Sequence, residues 1–358
     1  MALEEPSVIA AVSNAAKLIS ENKGFFCFSD KNSMISQIHL VETPVKKTKD
    51  SLLENKEKII KHANQCCQRM VQRGGGVKDL YVRILEEDNI TGFGKIVIDL
   101  EVDVCDSMGA NLLNTIAEFT SVYIEGLVEG KIILKILSNL SIFRKSTAEF
   151  KIPISNLGYK NLTGEELSKR LMYAYELACL DPFRATTHNK GIMNGIDSVA
   201  LALGQDWRAI EASAHAYATL DQNYTSIKYK PLTYYKIMEI KGNLYLYGSL
   251  TLPISCGVVG GAINSNENYK NMFKILGNPN SQELSQIMVS VGLAQNFAAL
   301  RALVTEGIQK GHMSLHARNI AIRAGVPDRL VGEVVNFMKI NKTFTEEAAK
   351  HYIEVSCN

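Results

Sequence analysis

The apolar positions of residues 33–138 change period several times, and each change marks a new element. Alternating positions predict strands and positions spaced by three or four predict helices. The predicted order is strand Met34–Val45, helix Ser51–Arg73, strands Leu80–Leu85 and Lys95–Val104, helix Ala110–Glu129 and strand Ile132–Ser138. This β-α-β-β-α-β order is that of a ferredoxin-like sheet with its helices on one face. We therefore expect a small domain over residues 33–138.

The rest of the chain is mainly helical in pattern. A first helix is predicted from Pro6 to the stop at Gly24. Further elements are predicted at Thr147–Ile154 (strand), Thr163–Leu180, Gly191–Leu203 and Trp207–Tyr217 (helices), Tyr234–Ile240 with Leu244–Ile254 (hairpin) and Ser281–Gln309 (helix). The last of these carries a stripe of apolar and small residues, so we expect it to be buried in a larger domain. Gly325-Val326-Pro327 breaks the helical pattern, and the short segments beyond it predict a mobile appendage.

Composition narrows the class of protein. The chain has 358 residues, of which 46% are hydrophobic and 21% charged, and its 39 basic residues nearly balance 37 acidic ones. We therefore expect neither a nucleic-acid partner nor a membrane partner. Seven scattered cysteines without a CxxC spacing predict reduced thiols, no disulfide framework and no metal. No signal-peptide pattern is visible, so the expected location is cytoplasmic.

The densest group of reactive side chains runs from Asp181 to Asp206, between two apolar segments. Polar groups at the edge of a core are costly unless they are paired, so this density favours a functional site over a solvated loop with a helix start. Lys190 and Asp206 are its main candidates. A lysine near a carboxylate in a cleft can stabilise an oxyanion, although an ordinary ion pair has the same composition. If Gly191–Leu203 is helical, about four turns separate the two, and they meet only through a fold-back or a third group.

A second candidate segment, Asp106–Asn111, lies where a strand passes into a helix. Gly109 in such a place lets the backbone approach a phosphate, although turn chemistry alone also explains it. The segment is not a GxGxxG motif, so a Rossmann or P-loop site is not expected. Elsewhere, Glu5 suits a helix start. His312 and His316, near the mobile appendage, suit either a proton donor or a helix terminus.

Eight short blocks, in this order, make the chain similar to class II 3-hydroxy-3-methylglutaryl-coenzyme A (HMG-CoA) reductases over nearly its whole length. They are Glu4-Glu5-Pro6-Ser7, Asp106 to Asn111, Leu137-Ser138-Asn139-Leu140, Thr187 to Asp197, Gly204-Gln205-Asp206, Gly260-Gly261, Leu293-Ala294-Gln295-Asn296 and His312 to Asn319. The resemblance implies an α+β fold: a large, mainly helical domain with a long central helix (1–32 and 139–311), an inserted ferredoxin-like small domain (33–138) and a C-terminal helical flap (312–358).

The resemblance also implies an activity. Two hydride transfers from NADPH or NADH would reduce HMG-CoA to mevalonate and CoA through mevaldehyde, in isoprenoid synthesis or, in reverse, in mevalonate breakdown. Lys190 would stabilise the carbonyl oxygen and Asp206 would hold that lysine. Glu5 would donate a proton at the aldehyde stage, and His316 would protonate the CoA thiolate.

Binding roles follow from the same resemblance. Ser7, Arg184, Thr187 and Asn194 match positions near the acyl group, with Arg184 suited to its carboxylate. The positions that match the nicotinamide cofactor side are Asp106, Met108, Gly109, Asn111 and Asn139. Homodimers or higher oligomers with sites at the subunit interface are expected.

Two departures from the family pattern matter. Only Met1-Ala2-Leu3 precede Glu4, whereas the family carries an ENVIG-containing segment there. A truncated product is the resulting expectation, and a catalytically impaired paralogue acting as an acyl-CoA-binding, nucleotide-binding or assembly subunit is the alternative function. The second departure is Cys67, where NAD-preferring relatives place an aspartate that binds the ribose 2′-hydroxyl. With Arg69 or Arg73 beside it, the sequence favours NADPH.

Overall fold

The computed structural model describes residues 1–220, 228–307 and 317–356. Their buried apolar side chains form three separate clusters. One includes α1 (Pro6–Glu21) and elements between residues 148 and 300, the second lies between residues 34 and 124, and the third between residues 317 and 349. The protein is thus an α+β fold with a large unit, an inserted small unit and a C-terminal helical unit.

The small unit contains one four-stranded antiparallel sheet with helices on one face. In chain order after β1 (Phe26–Ser29), its elements are β2 (Ser33–Pro44), α2 (Val45–Glu54), α3 (Lys56–Ala63), α4 (Gln68–Gln72), β3 (Gly76–Glu87), β4 (Phe93–Asp103), α5 (Ala110–Glu125) and β5 (Lys131–Leu137). The sheet order is β3-β4-β2-β5, which puts the first strand of the unit beside its last and third. The predicted ferredoxin-like topology is confirmed.

The single helix predicted over Ser51–Arg73 is wrong in detail. The chain forms α2, α3, a 3₁₀ turn (Asn64–Cys67) and α4 instead. Asn64 explains the break, because its carboxamide bonds both backbone groups of Val77, accepting from the nitrogen at 2.8 Å and donating to the oxygen at 3.1 Å. These two hydrogen bonds hold the turn against the first residues of β3, and neither could form if the helix continued straight.

The large unit places a second antiparallel sheet, in the order β1-β6-β8-β7, against its helices. Its elements after β5 are β6 (Lys145–Pro153), α6 (Gly164–Leu180), α7 (Pro182–Ala202), α8 (Trp207–Thr219), β7 (Thr233–Ile240), β8 (Asn243–Pro253), α9 (Gly261–Ser265), α10 (Glu267–Ile275) and α11 (Ser281–Val304). The predicted hairpin is confirmed, with Ile240 paired to Asn243 at its turn.

Helix α11 is the central element of the large unit, as predicted. It has 24 residues, and an 18-residue window within it has a mean hydropathy of 1.5, so the helix is long and apolar enough to cross a membrane by length and composition. Its buried residues, however, pack against α7, α1 and β6 inside the core. Gly292 allows the closest approach, since a Cβ there would lie 2.9 Å from the Ile196 side chain. The helix ends at Val304, five residues before the predicted end.

Helix α7 begins nine residues earlier than the Gly191 start that apolar periodicity predicted. Asp181 caps the helix by accepting a hydrogen bond from the Phe183 nitrogen at 2.9 Å, and Pro182 occupies the first turn. The inner face of the added turns is polar and buried. Most of the candidate stretch is therefore helical rather than a solvated loop.

The C-terminal unit comprises helical residues 317–323, α12 (Val331–Asn341) and α13 (Glu346–Ser356). The predicted break is confirmed at Gly325, whose φ is +80°, followed by a 3₁₀ turn at Asp328–Leu330. Val334 and Met338 are among the side chains that form its own small core.

Candidate active site

A cavity of about 760 Å³ opens between α1, α7 and α11. Five residues expected near the acyl group or its carbonyl line it together, namely Ser7, Arg184, Thr187, Lys190 and Asn194. Four of them come from α7 at spacings of three or four residues, which places them on one helical face. The structure thus brings together the acyl-side residues predicted from sequence.

The buried side of α7 anchors the helix in the core through Asn189 and His188, and His188 also lines the cavity. Asn189 donates to the Lys230 carbonyl at 2.8 Å and accepts from the Leu232 nitrogen at 2.9 Å. His188 bonds Thr233 through Nε2 at 2.6 Å. Burial, and secondarily Arg184, lowers the pKa of His188 to about 3, so this ring is neutral, and its Nδ1 has no hydrogen-bond partner among the described residues.

Asn296 of α11 connects this anchor to the sheet. Its Oδ1 accepts from the Tyr235 hydroxyl at 2.9 Å and from the Thr233 hydroxyl at 3.4 Å, while its Nδ2 donates to the His188 carbonyl at 3.4 Å. Gln295 beside it is buried at the cavity wall, and its Oε1 has no hydrogen-bond partner among the described residues. The cavity wall at α11 is therefore held by the hydrogen bonds of Asn296 and includes one buried, unpaired acceptor.

Glu5 lies at the edge of this cavity. It caps α1, and its Oε1 accepts from the Ser7 nitrogen at 3.2 Å and from the Ser7 hydroxyl at 2.5 Å. Lys190 is exposed and lines the cavity, and among the described residues no ion pair joins its ammonium to Asp206. Ser7 therefore connects Glu5 to the cavity that Lys190 lines.

Asp206 does not line this cavity. It caps α8 by accepting from the Ala209 nitrogen at 3.2 Å, and its Oδ1 lies 3.7 Å from the Arg208 Nε. Between Lys190 and the end of α7 the helix rises about 18 Å. The expected contact between Lys190 and Asp206 is thus not made within one chain.

The Asp106–Asn111 segment lies at the junction of the small and large units. Asp106 accepts from the Ser281 nitrogen at 2.9 Å through Oδ1 and from the Val258 nitrogen at 2.9 Å through its carbonyl. Gly109 has a φ of +102° and starts the 16-residue helix α5. Asn111 and Asn139 are both exposed, and the Asn139 carbonyl accepts from the Ser141 hydroxyl at 3.3 Å.

Arg144 holds this segment in place and was not predicted from the sequence. Its side chain is 4% exposed, and it donates to the carbonyls of Ser107 at 3.2 Å, of Met108 at 3.1 Å and of Cys256. No local signal in the sequence marks this arginine, because its partners lie far away along the chain. A Cβ at Gly257 would lie 2.3 Å from the Met108 nitrogen, so the two backbones touch.

Asp206 lies beside this junction. Its neighbour Gln205 accepts from the Gly257 nitrogen at 2.9 Å, and Gly257 touches Met108. One chain therefore holds two separate groups of the residues predicted from sequence, which we name the acyl half-site, around Lys190, and the cofactor half-site, around Met108 and Asp206.

Three residues of the small unit bear on the choice of cofactor and differ in their exposure, namely Cys67, Arg69 and Arg73. Cys67 is buried in the core of the small unit, its thiol lies 3.6 Å from the Asn64 Oδ1, and burial raises its pKa. Arg69 and Arg73 are exposed. The Cys105 thiol lies 3.8 Å from the Arg73 carbonyl, which puts the end of α4 against the Asp106 segment.

These residues suit an anionic dinucleotide. The first turn of α5 presents backbone N–H groups, Gly109 supplies the positive φ that precedes it, and two exposed arginines lie at the neighbouring α4. Among the described residues, no group of three His, Cys, Asp or Glu side chains is placed to hold a metal ion. His316 and His312 lie outside the described residues.

Comparison with known proteins decides the family. The sequence model described as hydroxymethylglutaryl-coenzyme A reductase matches residues 1–317. The chain belongs to the HMG-CoA reductase family. Family membership makes it an NAD(P)H-dependent oxidoreductase, and the alternative of a non-catalytic subunit is not favoured.

Individual relatives agree with this assignment. The 3-hydroxy-3-methylglutaryl-coenzyme A reductase of Archaeoglobus fulgidus is 44% identical over 356 residues, which cover 99% of this chain and 78% of that protein. A probable reductase of Borreliella burgdorferi is 37% identical over 327 residues, covering 89% and 70%. The class II reductase of Streptococcus pneumoniae bound to NADPH has a TM-score of 0.78 at 38% identity, with 99% of this chain and 84% of that chain covered.

Proposed function

We propose that the protein reduces HMG-CoA to mevalonate and CoA in two hydride-transfer steps, with mevaldehyde between them. The cavity that gathers Ser7, Arg184 and Lys190 is the observation that carries this proposal. The net change consumes two NADPH and two protons for each HMG-CoA, and releases one mevalonate, one CoA and two NADP⁺.

The spacing of cations on α7 fits the acyl group. Arg184 and Lys190 lie on one helix with a rise of about 9 Å between their Cα atoms. A guanidinium suits a carboxylate, which it binds through two parallel hydrogen bonds, and an ammonium suits a single oxygen that gains charge. Arg184 would hold the free carboxylate while Lys190 reaches the thioester carbonyl, with Thr187 and Asn194 between and beyond them.

Each reduction step requires a group that stabilises charge or donates a proton. Bound NADPH supplies the hydride in both reductions. As the thioester carbonyl is reduced, Lys190 stabilises the oxyanion; the C–S bond then breaks and His316 protonates the departing thiolate. In the second reduction the aldehyde oxygen becomes a hydroxyl, with its proton from Glu5, which Ser7 orients at the cavity edge.

We also propose that a second copy of the chain completes the site, in a homodimer or higher homo-oligomer. Within one chain, the rise of α7 between Lys190 and its end, about 18 Å, keeps Lys190 and Asp206 from acting on the same carbonyl. The exposed corner between α6 and α7 supports an interface there, since Leu180 is 77% and Phe183 86% exposed next to Arg184. Asp206 of one copy would then meet Lys190 of the other.

NADPH is the proposed cofactor, with NADH as the alternative. Asp106, Met108, Gly109, Asn111 and Asn139 would hold it, and Arg69 or Arg73 would pair with a 2′-phosphate. Cys67 favours NADPH because it is not a carboxylate. It makes no contact with the cofactor itself, since its side chain is buried. A cytoplasmic location fits the free thiols of the six described cysteines.

The direct test is the consumption of NADPH with HMG-CoA, followed by absorbance. Two NADPH should disappear for each mevalonate formed. Lys190→Met should lower the rate by about 10²–10³-fold, the cost of losing one group that stabilises an oxyanion. NADPH binding by the variant should be unchanged. Activity of the wild type with no effect of Lys190→Met would sink the assigned role, and no activity with either cofactor would sink the function.

A further inference from the structure

Arg301 of α11 is a cation in the wall of the acyl cavity that the reaction described above does not use. Its guanidinium carbon lies 4.8 Å from the centre of the Tyr159 ring. Its Nη1 donates to Asn14 Oδ1 at 3.1 Å. Both contacts orient the planar group, and neither partner carries a charge.

The charge of Arg301 is not compensated within the described chain. Its Nε is buried without a hydrogen-bond partner among the described residues. Glu306, a carboxylate in the same cavity wall, is paired with Lys160 instead. Burial lowers the pKa of Arg301 from its ordinary value, with Tyr159 opposing this effect. An anion that binds here gains charge-assisted hydrogen bonds without first breaking an ion pair.

The packing of the two helices gives the position of Arg301 in the cavity. A Cβ at Gly195 would lie 3.1 Å from the Gln295 Cβ. Asn296 contacts the His188 carbonyl, so α11 runs antiparallel to α7. Arg301 lies about 7.5 Å further along α11 than Asn296. It is therefore at the Arg184 end of the cavity, away from Asn194.

We propose that Arg301, oriented by Tyr159 and Asn14, is a second anion-binding group of this cavity and takes an oxyanion of the acyl-CoA substrate. This inference rests on the proposed function, because it presupposes that ligand. Two parts of the substrate offer the required chemistry: the free carboxylate of the acyl group, shared with Arg184, and the phosphates of CoA. The role is one of binding, and no bond is made or broken through Arg301.

The oxidative direction separates the two sources, because mevalonate carries only the carboxylate and CoA only the phosphates. KM values for each are measured with NADP⁺ for the wild type, Arg301→Gln and Arg301→Lys. Arg170→Gln is the matched control, since Arg170 donates to the Val304 carbonyl at 3.4 Å at the same end of α11 but does not line the cavity.

Arg301→Gln should raise one KM roughly 10- to 100-fold with a smaller change in kcat, the scale of a lost hydrogen bond to a charged group. Arg301→Lys should recover part of the affinity. A rise for CoA identifies the phosphates, and a rise for mevalonate identifies the carboxylate. Unchanged KM values, or a loss of kcat alone, overturn the proposal.

Binding of CoA and of mevalonate, each followed by calorimetry with the wild type and Arg301→Gln, gives the same answer without turnover. If the wild type and Arg170→Gln bind CoA or mevalonate but do not turn over, the proposed function fails while Arg301 is still tested. If Arg301→Gln binds both ligands as tightly as the wild type, Arg301 has no such role.

Discussion

Lys190 lies in the middle of α7 and Asp206 caps the next helix, so about 18 Å of helix axis separates two residues expected to act on one carbonyl. Each of the two residues has its own group of neighbouring site residues. Lys190 faces the cavity with Arg184, while Asp206 adjoins the backbone contact of Gly257 with Met108. A site that needs both residues must therefore draw them from two copies of the chain.

Cofactor choice should respond to the exposed arginines of the small unit. Arg69→Gln and Arg73→Gln are expected to lower kcat/KM for NADPH by about 10- to 100-fold in at least one of the two variants, since a charge-assisted contact to the 2′-phosphate is lost. The value for NADH, which lacks that phosphate, should change little. Lys61→Gln, an exposed cation on α3 of the same unit, is the matched control. Equal losses with both cofactors would contradict a contact to the 2′-phosphate.

Arg144 should control cofactor affinity without touching the acyl group. Arg144→Met removes the donors to three carbonyls and leaves them buried, at about 1–3 kcal/mol for each unsatisfied group. We expect a lower Tm and a KM for NADPH raised by about tenfold or more, with the KM for HMG-CoA unchanged. Arg144→Lys, which keeps the charge, should lose less. A folded Arg144→Met with wild-type cofactor affinity would show that the arginine only supports the core.

The stability of the protein should depend on the protonation of Asp197. Burial, and then Glu211, raises the pKa of this carboxyl from 3.8 to about 7, and its Oδ1 has no hydrogen-bond partner in the described part of the chain. The folded state therefore binds a proton that the unfolded state releases between these two values, so stability falls as pH rises through this range. Asp197→Asn should show a smaller fall in Tm between pH 4 and pH 7. Parallel Tm curves for the two proteins would exclude this source of pH dependence.

The elements that sequence predicted well are those whose periodicity is local. The ferredoxin-like order and the β7–β8 hairpin follow from alternating residues and from turns such as Lys241-Gly242-Asn243. The first nine residues of α7 lacked an apolar stripe, because their buried face is made of His188 and Asn189. His188 Nε2 and the Asn189 amide bond Thr233 and Lys230, more than forty residues away. Single-sequence patterns carry no information about such contacts.

The same limit applies to the site. Lys190, Arg184 and Ser7 were found through short motifs, and the structure places them on one cavity. Arg144 and Arg301 carry no motif, since their roles come from carbonyls, a ring and an amide that the fold brings to them. The break at Asn64 has the same origin, in its bonds to Val77. The features that were not predicted from sequence therefore depend on long-range polar contacts rather than on local propensity.

Mixing two inactive variants tests the central claim most directly. Lys190→Met and Asp206→Asn, each purified alone, should have at most about one hundredth of the wild-type rate. After subunit exchange at equal amounts, half of the dimers are mixed and each mixed dimer has one intact site, so about a quarter of the wild-type activity should return. A mixture whose subunits have exchanged, shown by two affinity tags, but whose rate equals the average of the two variants would contradict a site shared between chains.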